Sequence, residues 1–165
     1  MRRKLPLGVL VILVLAVVSL PAASASSSQA RSSAGEDNDV EVIRVTEVTV
    51  QEQFLDLGAE GDSLGDQFIF SGDLFRRGEK VGIDGGVATI VRLESMVSAT
   101  LQFVATAQLP RGQITVQGLV TFTDGPSTFR LAITGGTGRY RTGHGVLIVE
   151  EISETETRLT FRVIR

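Results

Sequence analysis

The stretch Phe129-Arg130-Leu131-Ala132-Ile133-Thr134-Gly135-Gly136-Thr137-Gly138-Arg139-Tyr140-Arg141-Thr142-Gly143-His144-Gly145-Val146-Leu147-Ile148-Val149 decides the fold. Phe129, Leu131 and Ile133 alternate, as the residues of one strand face do. Five glycines then fall within the eleven residues 135–145, and an apolar run follows. Glycine is needed where φ is positive or where two backbones touch. The pattern predicts a strand, a tight connection and a second strand. It is not a phosphate loop of the Walker type, which needs Gly-Lys-Ser/Thr opening a helix. Here Arg139-Tyr140 follows Gly138 and no helical period begins.

Working outward, the same alternation recurs. In 40–50, Ile43, Val45, Glu47 and Thr49 share a face. Residues 51–65 are polar and turn-rich. Strands follow at 67–75 and at 81–94, with Gly82, Gly85 and Gly86 predicting a bend or bulge. In 96–109, Val97, Ala99, Leu101, Phe103, Ala105, Ala107 and Leu109 share a face. In 113–123, Ile114, Val116, Val120 and Phe122 do so. Strands at 129–134, 145–151 and 157–164 complete the set, the last with Leu159, Phe161 and Val163 aligned. Pro110-Arg111-Gly112 and Asp124-Gly125-Pro126 read as turns. Eight strands with one apolar face each would leave aggregation-prone edges in an open sheet. The expected fold is therefore all-β, an eight-stranded antiparallel up-and-down β-barrel. Its interior holds packed side chains or one small ligand.

Residues 1–25 read as a signal peptide, with a basic head at Arg2-Arg3-Lys4, an apolar core over 7–20 and Ala23-Ser24-Ala25 as cleavage site. The core is shorter than the roughly 20 residues of a spanning helix. Residues 26–39 read as a disordered lead-in, and 40–165 as the barrel domain. The expected location is outside the cell, in the medium or at the cell wall. Cleavage would leave 13 basic and 19 acidic residues, a net charge of about −6. That argues against nucleic acid and an anionic membrane surface as partners of the mature chain. With no cysteine there is no disulfide framework, and one histidine cannot make a metal site. No cofactor is expected.

Five segments carry a family resemblance: Gly61-Asp62-Ser63-Leu64, Ser71-Gly72-Asp73-Leu74, Val81-Gly82-Ile83, Thr115-Val116-Gln117-Gly118 and Leu131-Ala132-Ile133-Thr134-Gly135-Gly136-Thr137-Gly138. In this order and spacing they resemble the allene oxide cyclase barrel family, to which the plant dirigent proteins are related. The resemblance covers roughly 40–164 and implies an eight-stranded barrel with an apolar interior, often in a homo-oligomer. Allene oxide cyclase closes a fatty-acid epoxide to a cyclopentenone, mainly by shape and water exclusion. The family's first-strand glutamate falls on Glu47, the candidate catalytic residue. Thr49, Gln67 and Ala88 take the places of an asparagine, a second asparagine and a cysteine, and are the candidate ligand-binding positions. Leu55-Asp56 stands at the family's Ser-Pro, and His144 at an arginine of the dirigent glycine segment. These departures point to a different small molecule, apolar or phenolic.

On an inward face Glu47 would be desolvated and could act as a general acid or base. On an outward face it would be one more strand carboxylate. Asp73 reads as a turn or strand-end hydrogen-bonding residue, Arg92 as a surface arginine beside Glu94 rather than a partner of Glu47 or of a ligand carboxylate, His144 as an exposed turn residue and Tyr140 as core. The sequence thus predicts a barrel that steers cyclisation, isomerisation or coupling, or a non-catalytic carrier or structural barrel with the same interior.

Overall fold

The computed structural model describes residues 40–95, 98–123 and 128–165. The expected signal peptide (1–25) and lead-in (26–39), residues 96–97 and the expected turn at 124–126 lie outside the described residues. Strands β1 (Val40–Leu55), β2 (Gln67–Arg76), β3 (Glu79–Ser95), β4 (Ser98–Leu109), β5 (Gly112–Phe122), β6 (Thr128–Gly136), β7 (His144–Glu151) and β8 (Glu156–Ile164) pair in chain order, and β8 returns to β1. Every pairing is antiparallel. The barrel is closed, so the apolar face of each strand turns inward; its shortest seam is β5–β6, whose ladder runs from Ile114 opposite Gly136 to Gln117 opposite Ala132.

β1 runs five residues further than the alternation predicts. Thr49 pairs with Gly72 and Gln51 with Ser71, so Val50 is the extra residue of a bulge, and it is exposed. The bulge reverses the parity of the strand. Ile43, Val45, Glu47 and Thr49 face in before it; Phe54, paired with the inward Phe68, faces in after it. The polar composition of 51–55 hid this strand end.

One end of the barrel is sealed. The glycine connection between β6 and β7 folds under it as a 3-10 turn, Gly138–Tyr140, and buries Tyr140. Gly136 and Gly112 lie against backbone carbonyls of Gln113 and Thr137, where any side chain would collide. Leu74, Ile114, Phe161 and Val163 complete this floor and are inaccessible to solvent. Glu41 ties three chain segments together there, with Arg111 at 3.3 Å, Arg139 at 3.2 Å and Arg165 at 3.4 Å. The opposite end carries the loops 56–66 and 152–155. Asp66, fully buried, accepts hydrogen bonds from the backbone N–H of Leu57 (2.8 Å) and Ser63 (2.7 Å), fixing the first of these loops. The Ile90 N–H donates to the Asp66 carbonyl (2.9 Å) and stitches the loop to β3.

Candidate functional site

Counting by two along each strand gives the composition of the lumen. At its centre lie two carboxylic acids. Glu47 on β1 is 7% exposed and stands opposite Leu74 on β2 and Thr157 on β8. Asp84 on β3 stands opposite Gly72 on β2 and the buried Ala107 on β4, which puts it on the inner face. Gly72 joins the two. A Cβ on Gly72 would run into the Glu47 carboxylate, so the missing side chain is what lets Glu47 lean across β2 toward Asp84.

The electrostatics follow from this placement. Burial raises the Glu47 pKa; hydrogen bonds from the Thr49 and Thr157 hydroxyls pull it back, and Glu52 pushes it up slightly. The Thr49 hydroxyl donates to Glu47 Oε1 at 3.1 Å. Asp84 is pushed up to about 7, first by burial and then by the negative charge of Glu47, against hydrogen bonds from the backbone of Gly72 and of Asp84 itself. Asp84 Oδ1 is buried with no hydrogen-bond partner. A buried carboxylate oxygen without a donor is costly when ionised. The two acids are electrostatically coupled: the charge of Glu47 helps raise Asp84 to about 7, so Asp84 is partly protonated near neutral pH.

Above the acids, toward the open mouth, the wall is aromatic. Phe70 is the next inward residue of β2 after Gly72, and it faces Phe103 across the lumen (centroids 6.5 Å apart). Phe103 also meets Phe129 at 5.4 Å and Phe122 at 5.9 Å. These four rings face inward and are half-buried. Below the acids the lumen is packed with Ile43, Val45, Leu74, Ile114 and Phe161. The arrangement is an aromatic-lined lumen, with Glu52 at the level of Phe70 by register, above two buried carboxyl groups.

Of the positions singled out in the sequence, the structure brings Glu47 and Thr49 together. Ala88 also faces in, buried beside Phe68 and Phe103 nearer the mouth. Gln67 does not join them. It pairs with Leu55 and Thr89, and the alternation of β2 turns its side chain to the outer face. Asp73 is outward and bridges to Lys80 at 2.7 Å. Arg92 pairs with Glu94 at 3.4 Å on the surface, and His144 is exposed at the start of β7. Asp84 was not singled out in the sequence. The signal was present: counting back by two from Ala88 and Ile90 lands on it, but three neighbouring glycines suggested a bend.

Comparison with known proteins agrees with this architecture. The profile of a family described as "Allene oxide cyclase barrel like domain" matches residues 46–164. No curated protein matches the chain in sequence. Among solved structures the chain is similar to a pyocyanin demethylase, at 29% identity and a TM-score of 0.65, covering 74% of this chain and 99% of the other. It is also similar in fold to a nonspecific heme-binding cyclase that catalyses a [4 + 2] cycloaddition in neoabyssomicin biosynthesis. There the identity is 22%, the TM-score 0.61 and the coverage 78% and 66%. A Diels–Alderase from Streptomyces koyangensis matches at 20% identity and a TM-score of 0.59, covering 78% of this chain and 71% of its own.

Proposed function

The chain belongs to the allene oxide cyclase barrel like family, and from that premise we propose that it is a small-molecule isomerase or cyclase working by proton transfer inside the barrel. A planar, apolar or phenolic substrate enters the mouth and lies among Phe70, Phe103, Phe122 and Phe129. Its polar or acidic end reaches Glu47 and Asp84. The ionised member of the pair removes a proton from the substrate, and the protonated member returns one at a second atom. The substrate rearranges with no change in its atoms and needs no oxidant. The rings hold the substrate in a reactive shape and exclude water. Barrels of the same fold that perform cycloaddition or act on pyocyanin are consistent with an aromatic or polyene guest.

The observation that carries this reading is the buried Glu47–Asp84 pair over Gly72, with one Asp84 oxygen unpartnered. It also departs from the expectation from resemblance, in which Glu47 acts without a second acid. Its test begins with mass spectrometry of small molecules that co-purify with the chain, followed by a panel of isomerisable phenols, epoxides and polyenes. Glu47→Gln and Asp84→Asn are each expected to slow the reaction by roughly 10²–10⁴-fold while ligand affinity changes little. Variants that bind and convert as the wild type does would make the barrel a carrier instead. The reading further includes export, checked by N-terminal sequencing of protein recovered from medium and cell wall. It includes a homo-oligomer packed through the outward row Ile69, Val87 and Val104, checked by sedimentation of the wild type and a Val104→Lys variant.

A further inference from the structure

The outer wall carries a shallow depression, on the far side of the sheet from the acids. A groove of about 420 Å3 runs across β8, β1 and β2, lined by Arg44, Arg76, Arg77 and Arg158 and backed by Val42 and Phe75. Arg158 stands opposite Thr46, and Thr46 opposite Phe75, so the groove crosses three neighbouring strands. At about 4.8 Å per strand spacing it is roughly 10 Å wide.

Its charges are unbalanced. Glu79 is opposite Arg76 and Glu150 opposite Arg158 in register, yet neither closes to ion-pair distance. Among the described residues none of the four arginines makes an ion pair. Of the other described cations, Arg111, Arg139 and Arg165 share Glu41, Arg92 takes Glu94 and Lys80 takes Asp73, while Arg130, Arg141 and Arg162 make no ion pair; what sets the groove apart is that four such arginines line one surface. Four unneutralised guanidinium groups are thus gathered on a chain of net charge −3. The turn adds weight. Arg77 and Gly78 form a two-residue hairpin with φ of 54° and 83°. Such turns favour Asn-Gly, so the arginine opposes the local preference while placing a fourth cation in the groove.

We propose that this groove binds a ligand carrying two or more adjacent phosphate groups. A guanidinium fork matches phosphate oxygens bidentately. A lone carboxylate would satisfy one fork and leave three cations repelling one another. Neighbouring phosphates supply enough negative charge within the width of the groove. Val42 and Phe75 offer an apolar seat for the ligand's organic part. The site is independent of the chemistry assigned to the lumen.

Calorimetric titration of the protein with inorganic tripolyphosphate and with poly(glycerol phosphate), at low and at physiological salt, tests this. Binding that weakens as salt rises is expected. A preference for tripolyphosphate identifies a free polyphosphate as the natural class, and a preference for the polymer a phosphodiester chain. The double variant Arg44→Gln/Arg158→Gln is expected to lose about tenfold or more in affinity. Arg77→Asn should lose affinity while its thermal midpoint rises, because asparagine suits the turn; this separates lost binding from lost folding. Glu47→Gln should bind both anions as the wild type does. Failure of the wild type to bind either anion, or unchanged binding by the double variant, overturns the proposal.

Discussion

At the scale of single residues, Asp84 couples function to stability. Its carboxyl ionises near 3.8 in an unperturbed setting and is pushed up to about 7 in the barrel. Between those values the folded state binds more protons than the unfolded state, so stability falls as pH rises from about 4 to about 7. A shift of this size corresponds to roughly 4 kcal/mol, and solvent screening lowers that figure. Asp84→Asn keeps the shape and removes the charge. The wild type is expected to lose several degrees of thermal midpoint between about pH 5 and about pH 8. The variant should show a shallower profile, with the raised Glu47 still contributing a slope, and melt higher than the wild type at the alkaline end. Scanning calorimetry across that range decides it; a variant that melts lower than the wild type at pH 8 would show that Asp84 is not a strained acid. A group that destabilises the fold where it works is the usual trade between stability and activity at a reactive site.

At the scale of elements, the glycines separate into two kinds with different costs. Gly61 has φ of 94° and nothing within reach of an added Cβ. Gly61→Ala should therefore cost about 1–2 kcal/mol, the backbone penalty alone. Gly145 has φ of 137°, and a Cβ there would strike the carbonyl of Arg162 on β8. Gly145→Ala should cost several kcal/mol more, because β7 and β8 must part to admit it. Urea unfolding of both variants measures the contrast, and equal losses would mean that β7 and β8 are not packed as closely as they look. The same elements show what the sequence could and could not reveal. Alternation is local, so the inward sets Phe129-Leu131-Ile133 and Leu159-Phe161-Val163 were legible, as was the glycine-built connection. Which residue a strand adds at a bulge is decided by its partner, so the parity change at Val50 was not legible. Gln67 shows the consequence. A shift of one residue in aligning β2 exchanges the two faces, and a side chain assigned to the pocket lands outside. Asp84 was hidden for a related reason: beside Gly85 and Gly86 its strand alternation has no apolar neighbours to mark it.

At the scale of the whole molecule, the barrel divides its interior into a half that holds the fold and a half that is free to bind. The floor is dry: Phe161 is 1% exposed and packs within the larger core cluster, beneath the acids. The other half is less tightly buried: Phe129 faces the same lumen but stays half-buried, its ring against Phe103 and Phe122. Removing a ring below should leave a cavity that the closed wall cannot collapse, and Phe161→Ala is expected to cost about 3–5 kcal/mol. Removing a ring above should forfeit less burial, so Phe129→Ala is expected to cost about 1–2 kcal/mol. Binding should respond in the opposite order. Affinity for a planar aromatic probe, followed by fluorescence quenching, is expected to fall about tenfold in Phe129→Ala and to stay near the wild-type value in any Phe161→Ala protein that remains folded. If both substitutions weaken the probe equally, the aromatic ring cluster is not the seat of the ligand, and the acids below it lose the substrate they are proposed to serve.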